Sequence, residues 1–255
     1  MPNLEEPRVA IVTGAGRGIG RAAATRLSRG GYRVALTARN EAELRGTAAD
    51  CTGETLVLPA DITDSAAVDD LFSSVERAWG RVDVLVANAG AGVSASVART
   101  TDEQWQRMLD LNLTAPFRCI RRALPGMLER GYGRIVVVAS VAAKVGEPYI
   151  SAYTASKHGV LGLVRSAAAE VATSGVTVNA VCPGYVDTPM TDATVDGIVT
   201  KTGRTAAEAR GILEAKQPIG RLISVDEVAE AIWFCVANPG VTGQGINVDG
   251  GALQS

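Results

Sequence analysis

The sequence predicts an α/β fold: one doubly wound domain whose seven-stranded parallel sheet is flanked by helices. Three observations carry that expectation. Short β-branched runs alternate with stretches of helical periodicity from end to end. Glycine or small-residue clusters recur where those runs stop, as at 14–20, 87–92 and 182–184. No linker, repeat or composition break divides the 255 residues, so 1–255 read as a single domain. A chain that is 47% hydrophobic and 20% charged suits a globular protein. This length buries roughly 70–75% of its unfolded surface.

The balance of charge excludes several classes of function. The chain has 25 basic and 27 acidic residues without blocks, for a net charge of −2. That argues against a nucleic-acid surface or a polybasic membrane patch. With no apolar run of 18 residues, no membrane span is expected. The stretch Met1–Pro7 is acidic and proline-punctuated, the opposite of a secretory signal, and reads as a loose tail of a cytoplasmic protein. Cys51, Cys119, Cys182 and Cys235 are scattered, so neither disulfides nor a metal site are expected. The only histidine, His158, adjoins Lys157 and is assigned a structural role.

The first strand, Arg8–Thr13, runs directly into Gly14-Ala-Gly-Arg-Gly-Ile-Gly20 and then a helical stretch to Ser28. Strand, glycine turn and helix together form a phosphate cradle: glycines admit a pyrophosphate, and the helix start offers free N–H groups. The second strand, Tyr32–Thr37, ends in Ala38-Arg39-Asn40. An NAD site wants a carboxylate there for the ribose 2′-hydroxyl. Arg39, with Arg17 in the turn, suits a 2′-phosphate instead, so NADP(H) is expected.

A helix from Glu41 to about Cys51 leads to the strand Thr55–Leu58 and to Asp61, read either as an adenine contact or as a simple cap. Thr63 or Asp64 caps the next helix, whose Val68, Leu71, Phe72, Val75 and Trp79 mark a core face. The strand Val82–Val86 ends in Ala87-Asn88-Ala89-Gly90. One helical segment is then expected from 101 or 102 to Arg130, kinked near Asn112 because Pro116 has no N–H to offer its carbonyl. The kink either frees that carbonyl for a water or has no function.

The strand Arg134–Ala139 precedes Ser140 and a helix from Ser151 to about Thr173. On that helix Tyr153 and Lys157, four residues apart, share a face. A phenol beside an ammonium, with a hydroxyl close by, is a proton-transfer device. After the strand Val176–Val181, the stretch 188–217 is expected to be a loose, partly helical lid. A last helix from Ser224 or Asp226 through Ala237 and a strand within 242–251 complete the order.

These pieces resemble the short-chain dehydrogenase/reductase family over essentially the full length. The matching residues are Thr13-Gly-x-x-x-Gly-x-Gly20, Asp61, Asn88-Ala-Gly90, Asn112, Ser140, Tyr153-x-x-x-Lys157 and Pro183-Gly184. Ala87 departs from the pattern, since many members carry a second asparagine there. The resemblance implies a Rossmann-type fold with Ser140, Tyr153, Lys157 and Asn112 as the catalytic set. Tyr153 would give the proton to a carbonyl oxygen, and Lys157 would hold the nicotinamide ribose and lower the tyrosine pKa. Ser140 would orient the carbonyl, and the Asn112 carbonyl would hold a water. It implies a cofactor set of Gly14, Arg17, Gly18, Ile19, Gly20, Arg39, Asp61, Ile62, Asn88, Ala89, Gly90, Pro183, Gly184, Val186 and Thr188, besides Tyr153 and Lys157.

Val93, Val145, Tyr149, Tyr185 and Met190 are expected to line a largely apolar substrate pocket. Lys144 reads as a solvated lysine or as a draw for a phosphopantetheine or carboxylate. The sequence looks most like 3-oxoacyl thioester reductases, polyketide ketoreductases and hydroxyacyl dehydrogenases. The expected function is NADPH-dependent reduction of a ketone, free or as an acyl thioester, to a secondary alcohol. An NAD-dependent secondary alcohol or 3-hydroxyacyl dehydrogenase is the alternative, and a non-catalytic dinucleotide sensor the remote one. Family resemblance implies a homodimer paired through the helices near 101–130 and 151–173, or a homotetramer that the last helix and strand complete.

Overall fold

In the computed structural model, which describes residues 7–254, seven parallel strands lie in the order β3-β2-β1-β4-β5-β6-β7. They are β1 (Val9–Thr13), β2 (Arg33–Thr37), β3 (Thr55–Val57), β4 (Val84–Ala87), β5 (Gly133–Val138), β6 (Val176–Pro183) and β7 (Gly245–Val248). The central strands read as unbroken apolar runs because both faces are covered by helices. Ile11 of β1 pairs with Ala35 on one side and Leu85 on the other, and neither side meets water.

Strand order reverses at β1. The chain winds outward to β3, then crosses to the other flank and winds outward again to β7. Crevices in such sheets open at the carboxyl ends of the strands where the order turns. There the turn after β1 faces the loop after β4, and Thr13 joins them. Its hydroxyl accepts the backbone N–H groups of both Asn88 and Ala89, at 2.9 and 3.0 Å.

Nine α-helices among the described residues cover the sheet. One face carries α3 (Ser65–Trp79), α5 (Ala115–Glu129) and α6 (Ser151–Glu170), which pack Phe72, Val75, Ile120, Met127, Val160 and Val164 into one core. The other carries α1 (Gly18–Arg29), α2 (Glu41–Asp50) and α9 (Val225–Ala237), with Ala23, Leu27, Leu44, Val228 and Ile232 in a second core. α4 (Asp102–Leu109) is joined to α5 by a π turn, Asp110–Thr114. This π turn is the form the kink at Asn112 takes.

Caps mark most helix starts. Asn40 accepts the N–H groups of Ala42 and Glu43, and Asp64 that of Ala66. Capping boxes open α4 (Thr101 with Gln104), α9 (Ser224 with Glu227) and the helix α8 (Ala206–Glu214) (Thr205 with Glu208). α1, like α5 and α6, has no side-chain cap and no acidic residue in its first turn.

The segment 188–217, expected to be loose and partly helical, is helical over most of its length. α7 (Pro189–Thr202) and α8 form a helical hairpin, its turn at Gly203 in the left-handed conformation. Val195, Ala209, Leu213 and Leu222 give it a small core of its own. Three glycines and a polar surface hid it, because an apolar stripe this narrow gives little periodic signal. Most of the expected tail, residues 1–6, lies outside the described residues. No helix among them is long and apolar enough to cross a membrane. Cys51, Cys119, Cys182 and Cys235 are free thiols.

Candidate active site

The carboxyl ends of β1, β4, β5 and β6 converge on one crevice. Gly14 and Gly18 both have positive φ, 64° and 54°, and carry the chain sharply from β1 into α1. At Gly20 any side chain is excluded, since a Cβ would overlap the Gly14 carbonyl oxygen. Asn88 is spent on the same turn: its amide donates to the carbonyls of Thr13 and Gly14 at 2.9 and 3.2 Å. Thr188, at the start of α7, closes over Gly18 from the β6 side.

These features fit a dinucleotide. Every second residue of the turn from Gly14 to Gly20 is glycine, and α1 presents its first N–H groups uncapped with no acidic residue in its first turn, as an anion requires. At the end of β2, Arg39 is exposed and makes no ion pair among the described residues; Arg17 stands 4.0 Å from Glu43. Asp61 accepts both the N–H and the hydroxyl of Thr63, at 3.0 and 2.7 Å. Those bonds, more than the nearby Arg39, hold its carboxyl below the usual range. The Ile62 side chain is buried among Phe72 and its neighbours, so any contact it makes with a cofactor is through its backbone.

Ser140 follows β5 with its hydroxyl accepting the Ala142 N–H at 3.1 Å. Tyr153 and Lys157 stand on the first two turns of α6, facing it. Lys157 is buried and donates to the Val138 carbonyl oxygen at 2.9 Å; its Nζ is 5.6 Å from the centre of the Tyr153 ring. Burial pulls the lysine pKa down to about 8. Burial also raises the Tyr153 phenol, against the pull of the Ser140 hydroxyl, and Tyr185 and Cys182 add to the rise. The expected lowering of the tyrosine by Lys157 is therefore corrected. Among the chain's own groups, desolvation is the largest cause, and the Ser140 hydroxyl, not Lys157, is what pulls the phenol down.

Asn112 is buried at the π turn, and its side chain does more than the sequence suggested. Its Oδ1 accepts the Ala91 N–H at 3.1 Å, and its Nδ2 donates to the Ala91 carbonyl at 2.9 Å and to Ser156 Oγ at 3.2 Å. It thereby fixes the loop after Gly90 to α6. Gly90 is obligatory there, for a Cβ would lie 2.9 Å from Asn112 Oδ1 and 3.7 Å from Lys157 Nζ. His158 is exposed, with its Nδ1 3.0 Å from the Thr154 carbonyl oxygen.

The substrate side is less apolar than expected. Tyr149 stands 65% exposed in a left-handed conformation, φ 67°, and Val145 and Met190 are also exposed. Tyr185 donates its hydroxyl to Glu147 at 3.1 Å, and Lys216 joins both, 2.9 Å from the carboxylate and 3.3 Å from the phenol. Burial works against the Lys216 charge, but its bonds to Glu147 and Tyr185 raise its pKa overall. Lys144 fits neither of its readings: it donates to the Gly245 carbonyl at 2.7 Å and braces β7.

Sequence reasoning missed Gln217. It is 2% exposed and clamps the backbone of Tyr185, accepting its N–H and donating to its carbonyl at 3.0 and 3.2 Å. A lone glutamine before a proline gives no signal of that. Among the described residues no group of His, Cys, Asp and Glu is placed to hold a metal. A cavity of about 500 Å³ opens at the opposite end of the strands, between Arg8, Tyr32, Tyr132 and Trp233, and shares no residue with this site.

Chemically, the crevice offers a half-buried phenol, a hydroxyl within hydrogen-bonding reach of it and a primary amine, beside a cradle for a dinucleotide. Known proteins are similar to this chain over nearly its full length. The chain is 35% identical over 250 residues to the 3-oxoacyl-acyl-carrier-protein reductase of Escherichia coli (strain K12), spanning 96% of this chain and 97% of that one. It is 35% identical to the D-beta-hydroxybutyrate dehydrogenase of Rhizobium meliloti (strain 1021), over 96% of this chain and 98% of the other. A single-residue variant of actinorhodin polyketide ketoreductase, solved with NADPH, superposes with a TM-score of 0.93 at 39% identity, covering 96% of this chain and 97% of its own. The short chain dehydrogenase family model matches residues 8–198. The chain belongs to the short-chain dehydrogenase/reductase family.

Proposed function

We propose that the protein is an NADPH-dependent reductase that converts a ketone, a 3-oxoacyl thioester or a related carbonyl compound, into a secondary alcohol. One arrangement carries this reading: the Tyr153 hydroxyl within reach of Ser140, with Lys157 one helical turn away and the glycine cradle beside them. Bound in that cradle, the nicotinamide cofactor supplies the hydride. The chain's own groups do the rest.

Ser140 orients the carbonyl oxygen toward Tyr153. As the new C–H bond forms and the C=O π bond opens, negative charge gathers on that oxygen, and Tyr153 gives it a proton. Donors aimed at a developing alkoxide lower the barrier, and proton transfer of this kind contributes about 10²–10⁴-fold. The raised pKa of Tyr153 keeps it protonated at neutral pH, the form reduction requires. Lys157 lies deep enough to reach a ribose hydroxyl, and Asn112 keeps the loop after Gly90 at the distance this needs. Gly14, Gly18, Ile19 and Gly20 would hold the pyrophosphate side, with Arg17 and Arg39 on a 2′-phosphate. The backbone from Pro183 to Thr188 would meet the nicotinamide end.

The alternative, an NAD-dependent 3-hydroxyacyl dehydrogenase, is favoured by the hydroxybutyrate dehydrogenase relative. A turnover matrix of NADPH and NADH against a panel of ketones and alcohols separates the two. NADPH oxidation with a ketone, faster than NADH, is expected. Tyr153→Phe should lose at least about 10²-fold in kcat while still binding cofactor. Turnover retained in that variant would sink the mechanism. A cytoplasmic homotetramer remains part of the proposal.

A further inference from the structure

Three separate segments meet at one point over the crevice. Glu147 comes from the loop between Ser140 and α6, Tyr185 from the loop after β6, and Lys216 from the end of α8. Their side chains close a ring of hydrogen bonds with edges of 3.1, 2.9 and 3.3 Å. Tyr185 follows the carboxyl end of β6, which pairs with β5, and Glu147 lies in the chain between Ser140 and Tyr153, so the ring stands at the edge of the crevice.

We propose that Glu147, Tyr185 and Lys216 are a specificity-determining bar across the substrate entrance, passed by compact ketones and broken by extended ones. The inference rests on the reductase reading of the site. The parts of the ring differ in how firmly they are held. Tyr185 is fixed, because buried Gln217 clamps its backbone on both sides. The Lys216 side chain is 43% exposed and that of Glu147 26%, so water stands ready to solvate both when they separate.

The Glu147 loop also has room to shift: Gly146 has no atom within 4 Å of where a Cβ would stand. Nearby, Tyr149 holds the left-handed conformation, uncommon for a side-chain-bearing residue. A substrate that extends beyond Tyr185 must part Glu147 from Lys216. One that ends before Tyr185 need not.

The test compares cyclohexanone with a neutral 3-oxodecanoyl thioester of N-acetylcysteamine, in the wild type, Lys216→Met, Glu147→Gln and the exchanged pair Glu147→Lys with Lys216→Glu. The readout is the ratio of KM values, extended over compact. It should fall about two- to five-fold in each single variant, the worth of one exposed ion pair, without a fall in kcat. The exchanged pair should restore it. Raising ionic strength should lower the ratio in the wild type and leave the single variants unmoved. Amide hydrogen exchange over residues 206–217 should quicken in Lys216→Met.

A ratio that stays put, KM values that move equally for both ketones, or unchanged exchange would overturn the bar. If the wild type reduces neither ketone with either cofactor, the reductase reading fails instead. The exchange measurement then decides alone whether the ring holds the hairpin.

Discussion

Lys157 sits where its charge is least welcome. Its pKa is pulled to about 8 by burial, so across pH 8 to 10.5 the unfolded chain binds a proton that the folded chain has released. Stability therefore rises with pH in that window, and the penalty is fully present below about pH 8. Relative to Lys157→Met, which cannot titrate, the wild type should gain up to about 3 kcal/mol between pH 8 and 10.5 in denaturant titrations. A flat difference would show that Lys157 keeps its charge. Arg39 poses the complementary question on the surface. Arg39→Asp should reverse the NADPH-over-NADH preference, read as kcat/KM for each cofactor, because it trades a donor for a phosphate against an acceptor for a hydroxyl. Both residues were legible in the sequence, Lys157 from its spacing to Tyr153 and Arg39 from its place after β2. The pKa of Tyr153 was not, because desolvation is a property of everything packed around a group.

Elements place these residues, and the glycine turn is the least forgiving of them. Gly20→Ala should abolish cofactor binding and cost about 3 kcal/mol or more, since its Cβ would overlap the Gly14 carbonyl and the buried turn can yield little. Gly162→Ala, with no atom within 4 Å of its Cβ, is the control that should leave stability equal or slightly higher. Thermal melts with and without NADPH compare the two. The strands and the capped helices could be read from alternation and caps. The α7–α8 hairpin was legible only as a partly helical stretch, because its four-residue core gives too narrow a stripe. The π turn was legible only as a disruption: Pro116 said that a hydrogen bond was missing, and nothing in sequence said that Asn112's side chain would bind Ala91.

At the scale of the whole molecule, large apolar side chains still face solvent. Trp105 on α4, Phe117 and Leu128 on α5 and Phe234 on α9 are each at least 41% exposed. Exposed apolar groups on these helices support the proposed homotetramer. Phe117→Glu combined with Phe234→Glu should lower the mass read by light scattering, while each single change leaves a dimer; a mass unchanged in the double variant would refute that arrangement. Sheet order explains why the overall fold was legible and the site's finer contacts were not. Alternating strands and helices specify the winding, but the crevice gathers side chains from residues far apart in sequence. That same order carries a consequence for biosynthesis. β1 waits for β4, some seventy residues later, before its second edge is paired, and the cradle it begins stays open until Thr188 closes over Gly18. A nascent chain halted before β6 therefore has the glycine turn but no finished crevice, and such contacts between distant segments form slowly. The enzyme gains its cofactor site only as its last third arrives.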